Sequence, residues 1–116
     1  MKTAKTGNYA DGVSIISPGV EIKGDIGTKG SIRIDGKVEG NITADGNITI
    51  GDTGEILGNL NGKAITVGGI VKGIVHSHDK LTLEAKAVVE GDLFAKVLVI
   101  EEGARFHGKS SMNSES

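Results

Sequence analysis

The chain has 116 residues, nineteen of them glycine and one proline, with 37% apolar, 24% charged and 3% aromatic residues. That is one domain's worth of chain with a narrow core, which excludes two ordinary domains, a core built on large rings and disorder throughout. The formal net charge of −2 argues against nucleic acid as the main partner, and the absence of cysteine excludes a disulfide framework or a thiolate metal site.

Residues 1–13 read as a short polar leader. Lys2 and Lys5 are followed by Thr6, Gly7, Asn8 and Tyr9 with no apolar stretch for a signal peptide, and no segment approaches the ~20 apolar residues of a membrane span. The expected location is cytoplasmic, at most peripheral at the inner membrane.

The expected domain covers residues 14–108. A first glycine-centred unit, Ile22-Lys23-Gly24-Asp25-Ile26, is followed by the alternating pair Ile32/Ile34. Then come Val38-Glu39-Gly40-Asn41-Ile42 with Ile48/Ile50, and Ile56-Leu57-Gly58-Asn59-Leu60 with Ile65/Val67. Val71-Lys72-Gly73-Ile74-Val75 leads to Leu81/Leu83, and Val89-Glu90-Gly91-Asp92-Leu93 leads to Leu98/Ile100. A decayed copy, Phe106-His107-Gly108, closes the series, and residues 109–116 read as a flexible polar tail. The central glycines at 24, 40, 58, 73, 91 and 108 are 16, 18, 15, 18 and 17 residues apart.

Apolar alternation at period two means strands, and the short gaps rich in Gly, Asn, Asp and Thr leave no room for a helix. A strand–turn–strand unit that repeats every 17 residues or so is expected to coil, each strand pairing with its equivalents above and below. The fold class is therefore all-β: a single parallel β-helix, or β-solenoid, of about six windings. The glycine is expected where the chain bends and the interior has no room for a side chain.

Outward columns support the same register. Three residues before the glycine the column reads Glu21, Lys37, Glu55, Ile70, Val88, Arg105, and one residue before it Lys23, Glu39, Leu57, Lys72, Glu90, His107. Opposite charges follow one another at stacking distance. Arg33, Thr49, Thr66, Thr82 and Val99 form a third column, whose threonines are read as cross-strand packing rather than an ice-binding ladder. Leu57, Ile70, Ile74 and Val88 stand in outward columns where earlier windings carry charges; they are candidates for a lateral or partner surface, the alternative being that leader or tail residues fold over them.

Stacking stops at two ends, where strand edges lack partners and the apolar cross-section is open. Phe106 in the closing winding reads either as a plug that closes the core of a monomer or as an apolar platform for a second copy; on the favoured second reading the self-association surface is Val20, Ile22 and Ile26 at one end and Leu98, Ile100 and Phe106 at the other. No capping helix covers either end in this reading.

The glycine-centred units, the opening Ser14-Ile15-Ile16-Ser17-Pro18-Gly19-Val20-Glu21-Ile22-Lys23-Gly24-Asp25-Ile26 and the closing Glu101-Glu102-Gly103-Ala104-Arg105-Phe106-His107-Gly108 resemble a bactofilin. The resemblance covers about residues 14 to 108. It implies a right-handed triangular β-helix that polymerises without nucleotide, through its terminal turns, into bacterial cytoskeletal filaments serving cell-shape or envelope-related proteins. The family's apolar residue in the closing turn matches Phe106, which takes the role of an end-interface residue by that resemblance. Relatives often have proline-rich tails, and some have an apolar membrane-targeting segment. The leader here offers only Met1 and Tyr9 as anchors, so membrane contact is not assigned.

Other motifs carry less. Gly103 to Ser110 satisfies G-x-x-x-x-G-K-[ST], but only Ser111 to Ser116 follow, too few for the helix that a phosphate loop requires. His76 and His78 beside Asp79 read as a solvated polar turn between repeats, since two imidazoles and a carboxylate without fixed geometry make a weak metal site. Asn41-Ile42-Thr43 and Asn47-Ile48-Thr49 fit a glycosylation sequon, incidental without a signal peptide. No nucleophile, base and orienting group converge, so neither catalysis nor a cofactor is expected. Two alternatives are a β-helical acyltransferase, which would show regular hexapeptide steps and a histidine at a subunit boundary, and a monomeric binding module.

Overall fold

The computed structural model describes residues 13–112. Among them are thirteen strands: β1 (Val13–Ile16), β2 (Glu21–Lys23), β3 (Ile26–Thr28), β4 (Ser31–Ile34), β5 (Lys37–Ala44), β6 (Asn47–Ile50), β7 (Glu55–Gly62), β8 (Ala64–Val67), β9 (Ile70–Ser77), β10 (Lys80–Leu83), β11 (Val88–Ala95), β12 (Val97–Ile100) and β13 (Arg105–Met112). One sheet runs β1-β4-β6-β8-β10-β12, and the other β13-β11-β9-β7-β5-β2 with β3 also on β5. Every pairing is parallel and joins a strand to its equivalent one repeat away. With β2 and β3 as the halves of one interrupted long strand, the chain makes six windings, each a short strand followed by a long one. The expected β-solenoid is what forms.

Register is unbroken although the repeat length varies. Gly40, Gly58, Gly73, Gly91 and Gly108 stand opposite one another in successive windings. The corners take up the difference. Between short and long strands the chain uses four residues at 17–20, 51–54, 84–87 and 101–104, each closed by a hydrogen bond from the fourth N–H to the first carbonyl. At Asp35-Gly36 and Gly68-Gly69 it uses two. The ladder passes beneath the longer turns: the Asp35 N–H donates to Ile16 O at 2.7 Å and the Lys37 N–H to Val20 O at 2.9 Å, leaving Pro18-Gly19 outside. A Cβ on Gly36 would strike the carbonyls of Val20 and Ser17, so the short corner needs glycine.

Inside, like stacks on like. Val38, Ile56, Val71 and Val89 form one buried column, and Ile42, Leu60, Val75 and Leu93 a second. Ile32, Ile48, Ile65 and Leu81 form a third, and Ile34, Ile50, Val67 and Leu83 a fourth. Branched side chains suit this arrangement because their few rotamers fit a pleated surface repeated at the strand spacing. Where the long strand ends, the column narrows to Ala44, Gly62, Ser77 and Ala95. Ser77 is buried, and its hydroxyl lies 2.8 Å from Lys80 O and 3.2 Å from Lys63 O, so its polar group is satisfied.

The central glycines have φ between 136° and 146°, a region that side chains disfavour, and they divide each long strand into two legs. The reason for glycine differs from the one expected. A Cβ on Gly40, Gly58, Gly73, Gly91 or Gly108 would run into the carbonyl of the glycine one winding earlier, so the close approach is along the stack rather than towards the interior. Gly24, first in the column, has nothing within 4 Å of that position.

Candidate functional site

Chemistry on the flanks is sparse. Lys37 Nζ lies 3.9 Å from Glu21 and 3.5 Å from Glu39, all well exposed to water, which makes these weak surface pairs. Arg33 clasps Asp35 through Nε at 3.0 Å and a second nitrogen at 3.3 Å. That hydrogen bond, and then the carboxylate's charge, raises the guanidinium pKa above its ordinary value. Thr49, Thr66 and Thr82 stand side by side on the short-strand sheet. Among the described residues no three of His, Cys, Asp and Glu gather as metal ligands. The stretch matching a phosphate loop is a turn followed by β13, laddered residue for residue on β11 rather than wrapped into a cradle.

The ends differ from the flanks. At the first winding β1 pairs only with β4, while β2 and β3 pair only with β5; at the last, β12 pairs only with β10 and β13 only with β11. Each end therefore presents one outer row of backbone donors and acceptors without a strand partner among the described residues. The core columns open there. Leu83 is fully buried, yet Ile100, its register partner in the next winding, is 47% exposed. Leu98, Ala104 and Phe106 pack on the core from the last winding and are only partly buried. Phe106 continues the column of Val71 and Val89 as a larger ring.

At the other end Val20 is exposed, whereas Ile22 and Ile26 keep only 8% and 6% of their surface in water. Two apolar residues outside the expected set also stand at the ends, on the outer side of the short-strand sheet: Ile15, 64% exposed, in the first winding and Val97 in the last. Their outward phase follows from period-two alternation, but their position at the margins is visible only once the first and last windings are known. β13 reaches Met112, into residues expected as tail. Residues 1–12 and 113–116 of the expected leader and tail, with Met1 and Tyr9, lie outside the described residues.

Of the candidate lateral residues, Ile70 and Val88 are register neighbours, whereas Leu57 stands in the next outward column, between Glu39 and Lys72. Ile74 is in another column, beyond the glycine, between Asn59 and Asp92. His76, expected in a turn, is instead part of β9, with His78 just after it.

Comparison with known proteins agrees with this geometry. The family profile described as bactofilin, polymer-forming cytoskeletal, matches residues 14–111. Bactofilin BacP of Myxococcus xanthus (strain DK1622) is 26% identical over 114 residues, which is 97% of this chain and 48% of BacP. The chain thus spans about half of BacP's length. Bactofilin BacO of the same organism is 26% identical over 100 residues, covering 86% of this chain and 79% of BacO. No solved structure matches the chain significantly. Among the described residues no helix is long and apolar enough to cross a membrane. A stack of equivalent windings with open ends, matched over nearly its whole length by one structural, non-enzymatic family, leads to one assignment: the chain belongs to the bactofilins, polymer-forming cytoskeletal proteins.

Proposed function

We propose that the chain polymerises end to end without nucleotide, using Val20, Ile22 and Ile26 at one end and Leu98, Ile100 and Phe106 at the other, and that the filament is a cytoplasmic scaffold for cell-envelope or cell-shape proteins. The observation that carries this reading is the abrupt exposure of the core column between Leu83 and Ile100. Each winding satisfies the backbone groups of the next, so an end remains a template until another copy occupies it. Ile70 and Val88, with Leu57 in the next outward column and Ile74 across the glycine, supply a lateral contact in the same scheme.

Electron microscopy and high-speed sedimentation of the purified chain, with and without nucleotide, test it. Filaments are expected in both conditions. Phe106→Arg places a charge in the end contact and is expected to shorten or abolish filaments while circular dichroism remains that of β-structure. Undiminished polymer in that variant would remove Phe106 from the interface, and monodisperse wild-type particles at high concentration would overturn the proposal.

A further inference from the structure

We propose that His76 and His78 form half of a metal site for a borderline divalent ion such as Zn²⁺, Ni²⁺ or Cu²⁺, completed by the same pair from a second copy. The alternation of β9 turns Ser77 inward, where its hydroxyl is anchored, and leaves the histidines on either side of it exposed. Their ring centroids are 5.2 Å apart. Two imidazoles on one tetrahedral ion, with nitrogens at about 2.0–2.1 Å and ring centroids about 1.1 Å behind them, stand about 5.2 Å apart. The pair therefore already has the separation that chelation requires.

Both rings are held by neighbours in the adjoining windings. His78 Nε2 is 3.0 Å from Asn61 Oδ1. An amide oxygen accepts only, so Nε2 carries the proton and Nδ1 keeps its lone pair for a metal. The edge of one ring meets the face of the other between His76 and Phe94, whose centroids are 5.9 Å apart with an interplanar angle of 89°. No third ligating side chain joins the pair among the described residues, which leaves two positions of a tetrahedral ion vacant. A second copy facing the first supplies two more imidazoles, a set suited to zinc, nickel or copper rather than magnesium or calcium.

β9 is the long strand of the fourth winding, away from both ends. The pair therefore stays accessible when ends dock, and recurs on the flank of every subunit. In a filament, many weak bridges act together and tie neighbouring filaments side by side. This bundling rests on the proposed polymerisation, whereas the ion site itself does not.

The experiment uses the full chain without an affinity tag. Equilibrium dialysis against Zn²⁺ is expected to give one ion for every two chains, lost in the doubly substituted His76→Gln, His78→Gln variant. Zn²⁺ is expected to move wild-type polymer into a low-speed pellet, reversibly with EDTA, while Mg²⁺ does not and the variant still pellets at high speed. Equal zinc uptake by the two proteins, or saturation at one ion per chain without bundling, overturns the site. If nothing pellets at high speed but zinc still joins chains in pairs through the histidines, the polymerisation reading fails and the metal site stands.

Discussion

Gly58→Ala, set against Gly24→Ala, separates the two reasons for glycine in the central column. At position 58 a side chain must accept φ of +145°, and its Cβ must displace the Gly40 carbonyl one winding below. The backbone strain costs about 1–3 kcal/mol. Forcing the windings apart adds about 1–3 kcal/mol, as overpacking does in tight cores. The total of about 2–6 kcal/mol is a large part of the ~5–15 kcal/mol that holds a typical domain together. At position 24 φ is +136° but nothing lies within 4 Å, so only the strain remains, about 1–3 kcal/mol. Any entropic gain from alanine in the unfolded chain is common to both and cancels in the comparison. Urea unfolding followed by far-ultraviolet circular dichroism, at a concentration below that of assembly, measures the difference. Equal losses at the two positions would refute the argument that axial contact, rather than conformation alone, demands glycine.

Leu83→Ala removes a fully buried side chain between Val67 and Ile100 and is expected to cost about 2–5 kcal/mol, read from the same unfolding curves. Lys37→Ala deletes two exposed pairs and is expected to cost under about 1 kcal/mol, with a loss that shrinks as salt is added. Thr66→Val replaces a hydroxyl in the middle of a threonine ladder with a methyl group; a change within about 0.5 kcal/mol is expected, since the column is there for packing. Ile70→Glu sets a second carboxylate opposite Glu55 and should cost under about 1 kcal/mol of stability. If the flank beside Val88 is a lateral contact, light scattering from filament bundles should fall in that variant.

Much of this architecture is legible before any coordinates, because register in a parallel stack is enforced twice. The pairs Ile48/Ile50 and Ile65/Val67 fix which face is inward, and the central glycines fix where one winding lies over the next. Less visible were features that depend on the third dimension. Gly36 and Gly54 look alike in sequence, yet one belongs to a two-residue corner and the other to a four-residue turn. Ile74 shares an outward phase with its apolar neighbours in sequence, but the positive φ at Gly73 lies between it and Ile70. His76 resembled turn chemistry because His78 and Asp79 follow it; its pairing with Phe94 across the ladder makes it part of a strand. At the ends, Phe106 and Ile100 are marked by their place in apolar columns, whereas Ile15 and Val97 stand next to the polar residues Arg33 and Lys80 in outward columns.

The longer turns give the rod a place to acquire sequence without disturbing its interior. At Asp52-Thr53 the excursion is closed at its base by the Gly51–Gly54 hydrogen bond, and the next winding skips beneath it. A peptide spliced in at that tip would hang from the flank like a branch from a trunk, with no strand shifted in phase. The same insertion at Gly68-Gly69, wedged under the preceding turn, would push two windings apart.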